Sequence, residues 1–215
     1  MTTEPQPAPR PAKSRLLQDG RDMFWSMAPL VLACIVLAGL LGMCSFQATG
    51  PGEGPPPDYD APAALQADAD ALKIPIRVPK LPDGWRSNSG SRKGIDGGRT
   101  DPASGQAQRA VSSTVGYLTP GGMYLGLTQS NADEDKLVGS LNPDVVPTGV
   151  QDIGGVRWVV YEGGDDEGRP AEPVWTTRLA GPTGPAQIAL TGAAGTDEYR
   201  TLATATQTAS PLPVE

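Results

Sequence analysis

The chain has 215 residues, 24 acidic against 17 basic, a net charge of −7 and no histidine. This excludes Ser-His-Asp and Cys-His catalysis and histidine metal sites, and an acidic chain is poorly matched to nucleic-acid phosphates. Both cysteines, Cys34 and Cys44, lie in one apolar run, so the rest has no thiol nucleophile, disulfide or thiolate metal site.

Residues 1–22 are rich in proline, and Arg10, Lys13, Arg15 and Arg21 make them basic. They read as a disordered tail. Residues 23–46, MFWSMAPLVLACIVLAGLLGMCSF, carry no charge. Roughly 20 apolar residues cross a bilayer, so this run predicts an N-terminal transmembrane helix. Lys and Arg precede it, and none follows until Lys73. The positive-inside rule then predicts a single-pass cell-membrane protein, N-terminus cytoplasmic and C-terminal domain extracytoplasmic, with the lipid bilayer as its first partner.

Met23 and Phe46 bound the span, and Trp25 suits an interfacial aromatic belt. Pro29 sits in the first turns, where its missing N–H costs least. Ala38 and Gly42 form a small-xxx-small pair through which another membrane protein could pack. Two other readings stay open. One is a cleaved signal peptide, for which the run is long; the other is a lipoprotein signal ending at Cys44, for which Met43 is large.

Residues 47–58, QATGPGEGPPPD, read as a Pro/Gly-rich linker, and residues 59–210 as one extracytoplasmic domain. Asp60 is the expected cap of a first helix with Leu65, Ala69 and Leu72 on its apolar stripe and Asp68 and Asp70 facing water. Residues 74–79, IPIRVP, alternate like a short edge strand. Residues 87–108 are polar and Gly-rich and read as a mobile loop.

Three hairpins follow. Residues 113–118 and 123–129 flank Thr119-Pro120-Gly121-Gly122. Residues 150–153 and 156–162 flank Gly154-Gly155, and 174–179 and 186–190 flank Gly181-Pro182-Thr183-Gly184. Asn131 is the expected cap of a short helix to Leu141, with Glu134 placed as in a capping box. Thr196 is the expected cap of a last helix with Tyr199, Leu202, Ala203 and Thr206 on one face, before a frayed SPLPVE end. The expected fold class is α+β: a two-layer domain whose antiparallel sheet of hairpins is covered on one face by two or three helices.

These residues resemble a known family. A basic segment ending Arg21-Asp22-Met23 leads into the apolar run, and Leu81-Pro82-x-Gly84-Trp85 follows. Then come Gly116-Tyr117-x-Thr119-Pro120-Gly121-Gly122-x-Tyr124, Gln129-Ser130, Gly155-x-x-Trp158 and Thr191-Gly192-x-Ala194 with Glu198 and Leu202-Ala203. The ordered set, spanning residues 18 to 207, resembles the actinobacterial DUF 4245 family, a membrane-anchored domain of unknown function. The resemblance implies a location and supplies no catalytic residues. The same order is similar to the extracytoplasmic domains of some anti-sigma factors, but the short N-terminus has no room for a sigma-binding domain.

Candidate chemistry is sparse. Asp133-Glu134-Asp135 and Asp165-Asp166-Glu167 are adjacent acids of the kind found on solvated loops. Asn131-x-Asp133-x-Asp135 alternates like a calcium loop, but Lys136 and Asn142 stand where Gly and Glu are needed. There is no G-x-S-x-G and no phosphate-binding loop sequence. The expectation is no catalytic residue, no metal and no cofactor. Among the aromatics, Trp85, Tyr124 and Trp158 are the candidate contacts for a partner or ligand. The expected function is a non-enzymatic accessory, scaffold or binding module at the cell envelope. An envelope sensor or a small-molecule or lipid binder is the alternative, and a carboxylate hydrolase comes third.

Overall fold

The computed structural model of the chain describes residues 19–40, 58–166 and 169–214. The chain divides into two compact units, Met1–Gly54 and Pro55–Glu215.

The first unit contains helix α1 (Asp19–Leu40), with Pro29 inside it and Phe24 and Trp25 in an edge-to-face contact. The expected membrane span, and with it the single-pass localisation, is corrected here. Among the described residues no helix is long and apolar enough to cross a membrane. α1 begins on Asp19, Arg21 and Asp22 rather than at Met23. The described part of its apolar run, Met23 to Leu40, rises about 27 Å at 1.5 Å per residue, against a hydrocarbon core of roughly 30 Å. Gly42, Cys44 and Phe46 lie outside the described residues, as do the tail to residue 18 and most of the 47–58 segment.

The second unit opens with helix α2 (Ala61–Leu72). The Asp60 carboxylate accepts the Ala63 N–H at 3.1 Å, and Pro62 occupies the first turn, where no N–H is needed. The helix stops at Lys73, whose left-handed backbone (φ 55°) returns its N–H to the Ala69 carbonyl.

A seven-stranded antiparallel sheet follows, in spatial order β1-β2-β3-β9-β8-β5-β4. Its strands are β1 (Arg86–Thr100), β2 (Ala107–Leu118), β3 (Tyr124–Ser130), β4 (Val146–Ile153), β5 (Val156–Glu162), β8 (Val174–Leu179) and β9 (Ala186–Gly192). A two-stranded ribbon, β6 (Asp165–Asp166) with β7 (Arg169–Pro170), projects between β5 and β8. Gly154 and Gly155 both have positive φ, which a two-residue hairpin turn between β4 and β5 requires. Helix α3 (Glu134–Leu141) joins β3 to β4, and helix α4 (Thr196–Thr208) follows β9.

The helices are not all on one face, contrary to the sequence expectation. α2 and α4 bury Leu65, Ala69, Tyr199, Leu202 and Ala203 against Val115, Leu127, Trp158 and Ile188 on one side of the sheet. α3 packs Leu137 and Val138 on the other side, against Ala110, Val174 and Ala189. The reason is register. Residues of opposite parity on β8 and β9 point to opposite faces, and most residues of both parities are buried there, Val174 and Ala189 supplying the apolar contacts for α3. Asp133, not Asn131, precedes α3, and the Asn131 amide oxygen instead accepts the Val111 N–H on β2.

Segment 74–79 is not a strand of the sheet. It crosses the α2/α4 face as a strap, with Ile74 and Ile76 buried. Gln129, wholly buried in β3, clasps it: the Arg77 N–H donates to its Oε1 at 2.8 Å, and its Nε2 donates to the Arg77 carbonyl at 2.9 Å. The buried Arg77 guanidinium then donates to the carbonyls of Ala180, at 2.6 Å, and Ala209. Burial depresses its pKa. The C-terminal end is tied rather than frayed: Arg77 bridges Pro211, and the Leu212 N–H donates to the Ile76 carbonyl at 2.8 Å.

Two stability predictions follow from this packing. Gln129→Leu keeps the volume but strands a buried N–H and a buried carbonyl of the strap. Urea unfolding should show a loss of about 2–5 kcal/mol; an unchanged midpoint would remove the clasp from the stability of the fold. On the other face, Tyr161 donates its hydroxyl to Glu134 at 3.0 Å. Burial, then this carboxylate, push its pKa from 10.0 to about 12. The fold favours the neutral phenol, so its contribution is whole below pH 10.0 and is lost as pH rises through about 12. Tyr161→Phe should therefore flatten the stability profile between those two pH values and leave it unchanged at neutrality, apart from a constant offset.

Candidate binding surface

β1 is the element the sequence reads as a loop. Its residues, RSNSGSRKGIDGGRT, hold little β-propensity. Their strand geometry comes from β2, whose Val115 and Tyr117 are anchored in the core and whose ladder pairs them with Gly90 and Ser87. The far end curls after Ile95, where the register shifts and Gly97 takes φ 60°.

Both ends of β1 are tied on the side away from β2. The Tyr59 N–H donates to the Ser87 carbonyl at 3.1 Å, and the Ser87 hydroxyl donates back to the Tyr59 carbonyl. The Tyr59 ring stands over Gly90, where an added Cβ would fall 2.0 Å from the phenol oxygen. At the other end the Asp133 N–H donates to the Gly98 carbonyl at 2.8 Å, and the Thr100 N–H donates to the Asp133 carboxylate at 2.9 Å.

Between these ties the edge is open. In an antiparallel pair, residues alternate between bonding their partner and turning both peptide groups away. Ser87, paired with Tyr117, turns outward to Tyr59. The same parity on β2 runs through Val115, Ser113 and Val111, which pair with Gly90, Arg92 and Gly94. At its far end Val111 gives its N–H to Asn131 and its carbonyl to the Ser130 hydroxyl, away from β1. The outward peptide groups of β1 are therefore those of Gly90, Arg92 and Gly94, with the Tyr59 ring lying over Gly90 and the Arg109 guanidinium over Gly94 on one face of the strand. Arg92 is held along α2 by Asp68, which also accepts the Ser113 hydroxyl. Asp68 is buried, not facing water as its helical position suggests.

The other edge is interrupted at its start. β4 carries Pro147, which has no N–H, and a register shift between Pro147 and Gly149.

The three aromatic candidates do not converge. Trp158 is wholly buried and donates its indole N–H to Gln207 at 2.9 Å, so it is core. Trp85 is half-buried against the same core. Tyr124 is 38 % exposed on the opposite face, its ring lying over the glycine pair Gly116 and Gly126. The anchor candidates Met23, Trp25, Pro29 and Ala38 are on α1, where Trp25 is exposed.

A shallow groove runs between α4 and the strap as two adjoining hollows of about 430 Å³ each, sharing Lys80, Ala205 and Thr208. Glu134 serves Tyr161 and Asp133 serves Thr100, so two acids of the first cluster have structural duties. Asp101 is held below the usual carboxylate range by the N–H groups of Ala103 and Ser104 in the β1–β2 turn. Among the described residues no group of three potential ligands could hold a metal ion.

The Tyr124 shelf yields a packing prediction. A Cβ on Gly116 would lie 2.3 Å from the Ser89 hydroxyl, which can rotate away, and 2.5 Å from the Tyr124 ring. Gly116→Ala should cost about 1–3 kcal/mol by overpacking in thermal or urea unfolding. The cost should shrink in a Tyr124→Ala background; an equal cost there would mean the ring is not what the methyl meets.

The family model described as a protein of unknown function, DUF4245, matches residues 15–206. No curated protein and no solved structure matches the chain. As that match takes in the strap, the sheet and nearly all of α4, the chain belongs to the DUF4245 family of proteins of unknown function.

Proposed function

We propose that the second unit is a non-catalytic binding module that docks an extended segment of a partner protein onto β1. The observation that carries this reading is the open run of outward peptide groups at Gly90, Arg92 and Gly94 in a 15-residue edge strand. Strand addition uses these groups as its source of affinity. Natural sheets usually shorten, bend or cover such an edge, as β4 does here with Pro147 and its register shift.

The electrostatics support a binding role over chemistry. The pKa of the Asp101 carboxyl is lowered. A general acid would need a carboxyl raised towards neutrality. The tyrosines that shift, Tyr117, Tyr161 and Tyr199, are raised chiefly by burial.

The test is a selection of extended peptides on the full chain, followed by amide hydrogen exchange. Selected peptides should slow exchange at Gly90, Arg92 and Gly94, and Gly94→Pro, which removes one outward N–H, should abolish the effect. Protection confined to the groove beside α4 would replace this reading with a ligand-binding one.

A further inference from the structure

From the charges along this edge we infer the chemistry of the partner: an extended acidic segment that pairs with β1. The inference rests on the strand-docking reading above. β1 carries four cations, Arg86, Arg92, Lys93 and Arg99, against one acid, Asp96, in a chain whose net charge is −7. Four of the chain's 17 basic residues thus lie on this one strand, with a single acid among them.

Two of these four cations have no acidic partner among the described residues. Arg92 pairs with Asp68, and Asp96 pairs with Arg109 of β2 at 3.4 Å. Arg99 donates to the Gln108 amide oxygen at 2.8 Å, and its charge also acts on the Asp101 carboxylate. Arg86 and Lys93 are exposed and have no ion pair or side-chain hydrogen bond among the described residues. Lys93 lies between Arg92 and Gly94, so its ammonium flanks the free peptide groups. It shares a face of the sheet with Arg86, whose pairing with Leu118 has the same parity as that of Lys93 with Ser112.

Like charges directly opposite across a ladder are destabilising, and opposite charges contribute. A second copy of β1 would bring Lys93 and Arg92 against their own kind, so self-pairing is disfavoured. The segment before Tyr59 holds Pro51, Pro55, Pro56 and Pro57, which have no N–H to contribute. The same cations that repel a second copy admit a strand with Asp or Glu at alternate positions, so one device serves both exclusion and recognition.

The experiment titrates the full chain into labelled octapeptides and reads fluorescence anisotropy. One alternates Glu with Val. A second replaces Glu by Lys. A third alternates Glu and Lys at the polar positions, with no net charge. A fourth is the Glu–Val peptide N-methylated at alternate residues, which keeps charge and removes the N–H groups of one edge. The Glu–Val peptide should bind at least about tenfold more tightly than the neutral one. The Lys–Val and N-methylated peptides should fail to bind. Lys93→Glu should weaken the Glu–Val peptide and admit the Lys–Val peptide, and since Lys93 is exposed, its unfolding midpoint should stay near that of the parent.

Equal binding of the Glu–Val and neutral peptides would overturn the charge inference while leaving strand docking intact. Equal binding of the methylated and parent peptides would overturn strand docking itself. No binding by any peptide would overturn both.

Discussion

The fold depends on one pair of hydrogen bonds made by a side chain in the manner of a backbone. The buried Gln129 amide meets both peptide groups of Arg77, as a neighbouring strand would. Without it the strap would lie over β3 with its polar groups desolvated and unmatched, at a cost comparable to a lost hydrogen bond for each. With it, Ile74 and Ile76 close over the core, and the Arg77 guanidinium is delivered to the last carbonyls around α4 and β8. Strap, sheet and both helices on that face are registered from one residue. A cation with mainly carbonyl partners suits this place: it can bind two orphan acceptors at once, and its fork is rigid.

The parts of the fold that sequence reveals are those where local chemistry and burial agree. The Thr119–Gly122 and Gly154-Gly155 turns demand the residues they have, and Tyr199, Leu202, Ala203 and Thr206 recur at helical spacing and are all buried. What the sequence conceals is set at long range. β1 has the composition of a loop because one of its edges meets no other strand and most of its side chains meet solvent; β2 alone gives it its shape. Asp68 looks like a surface acid on a helix, and only the passage of β1 and β2 beneath α2 buries it against Arg92 and Ser113. The side of the sheet taken by α3 is likewise invisible locally, because its apolar contacts on β8 and β9 are only Val174 and Ala189, set among Thr176, Gln187 and Thr191. The apolar run at the N-terminus shows the opposite error. Its composition is clear, but the helix it forms starts on charged residues and its described part is short of a span.

The candidate site was concealed for the same reason as β1. Aromatic residues drew attention, yet Trp158 fills the core and Tyr124 covers two glycines. The groups available for recognition are main-chain ones, which no residue type announces. A surface of this kind reads shape and charge rather than a particular side chain. It tolerates many partner sequences provided they extend and carry the right sign.

The closure of the strap by Leu212 also bears on how the chain is made. The Ile76 carbonyl waits for an N–H that lies nearly at the C-terminus. Loop closure over so long a separation is slow relative to hairpin formation, and residues leave the ribosome in order, at about 5–20 per second. The three hairpins can assemble as they emerge, whereas the strap gains its last partner only after all of them have been made. The nascent unit thus passes through a stage in which sheet and strap exist but the strap's final partner, Leu212, has yet to be synthesised.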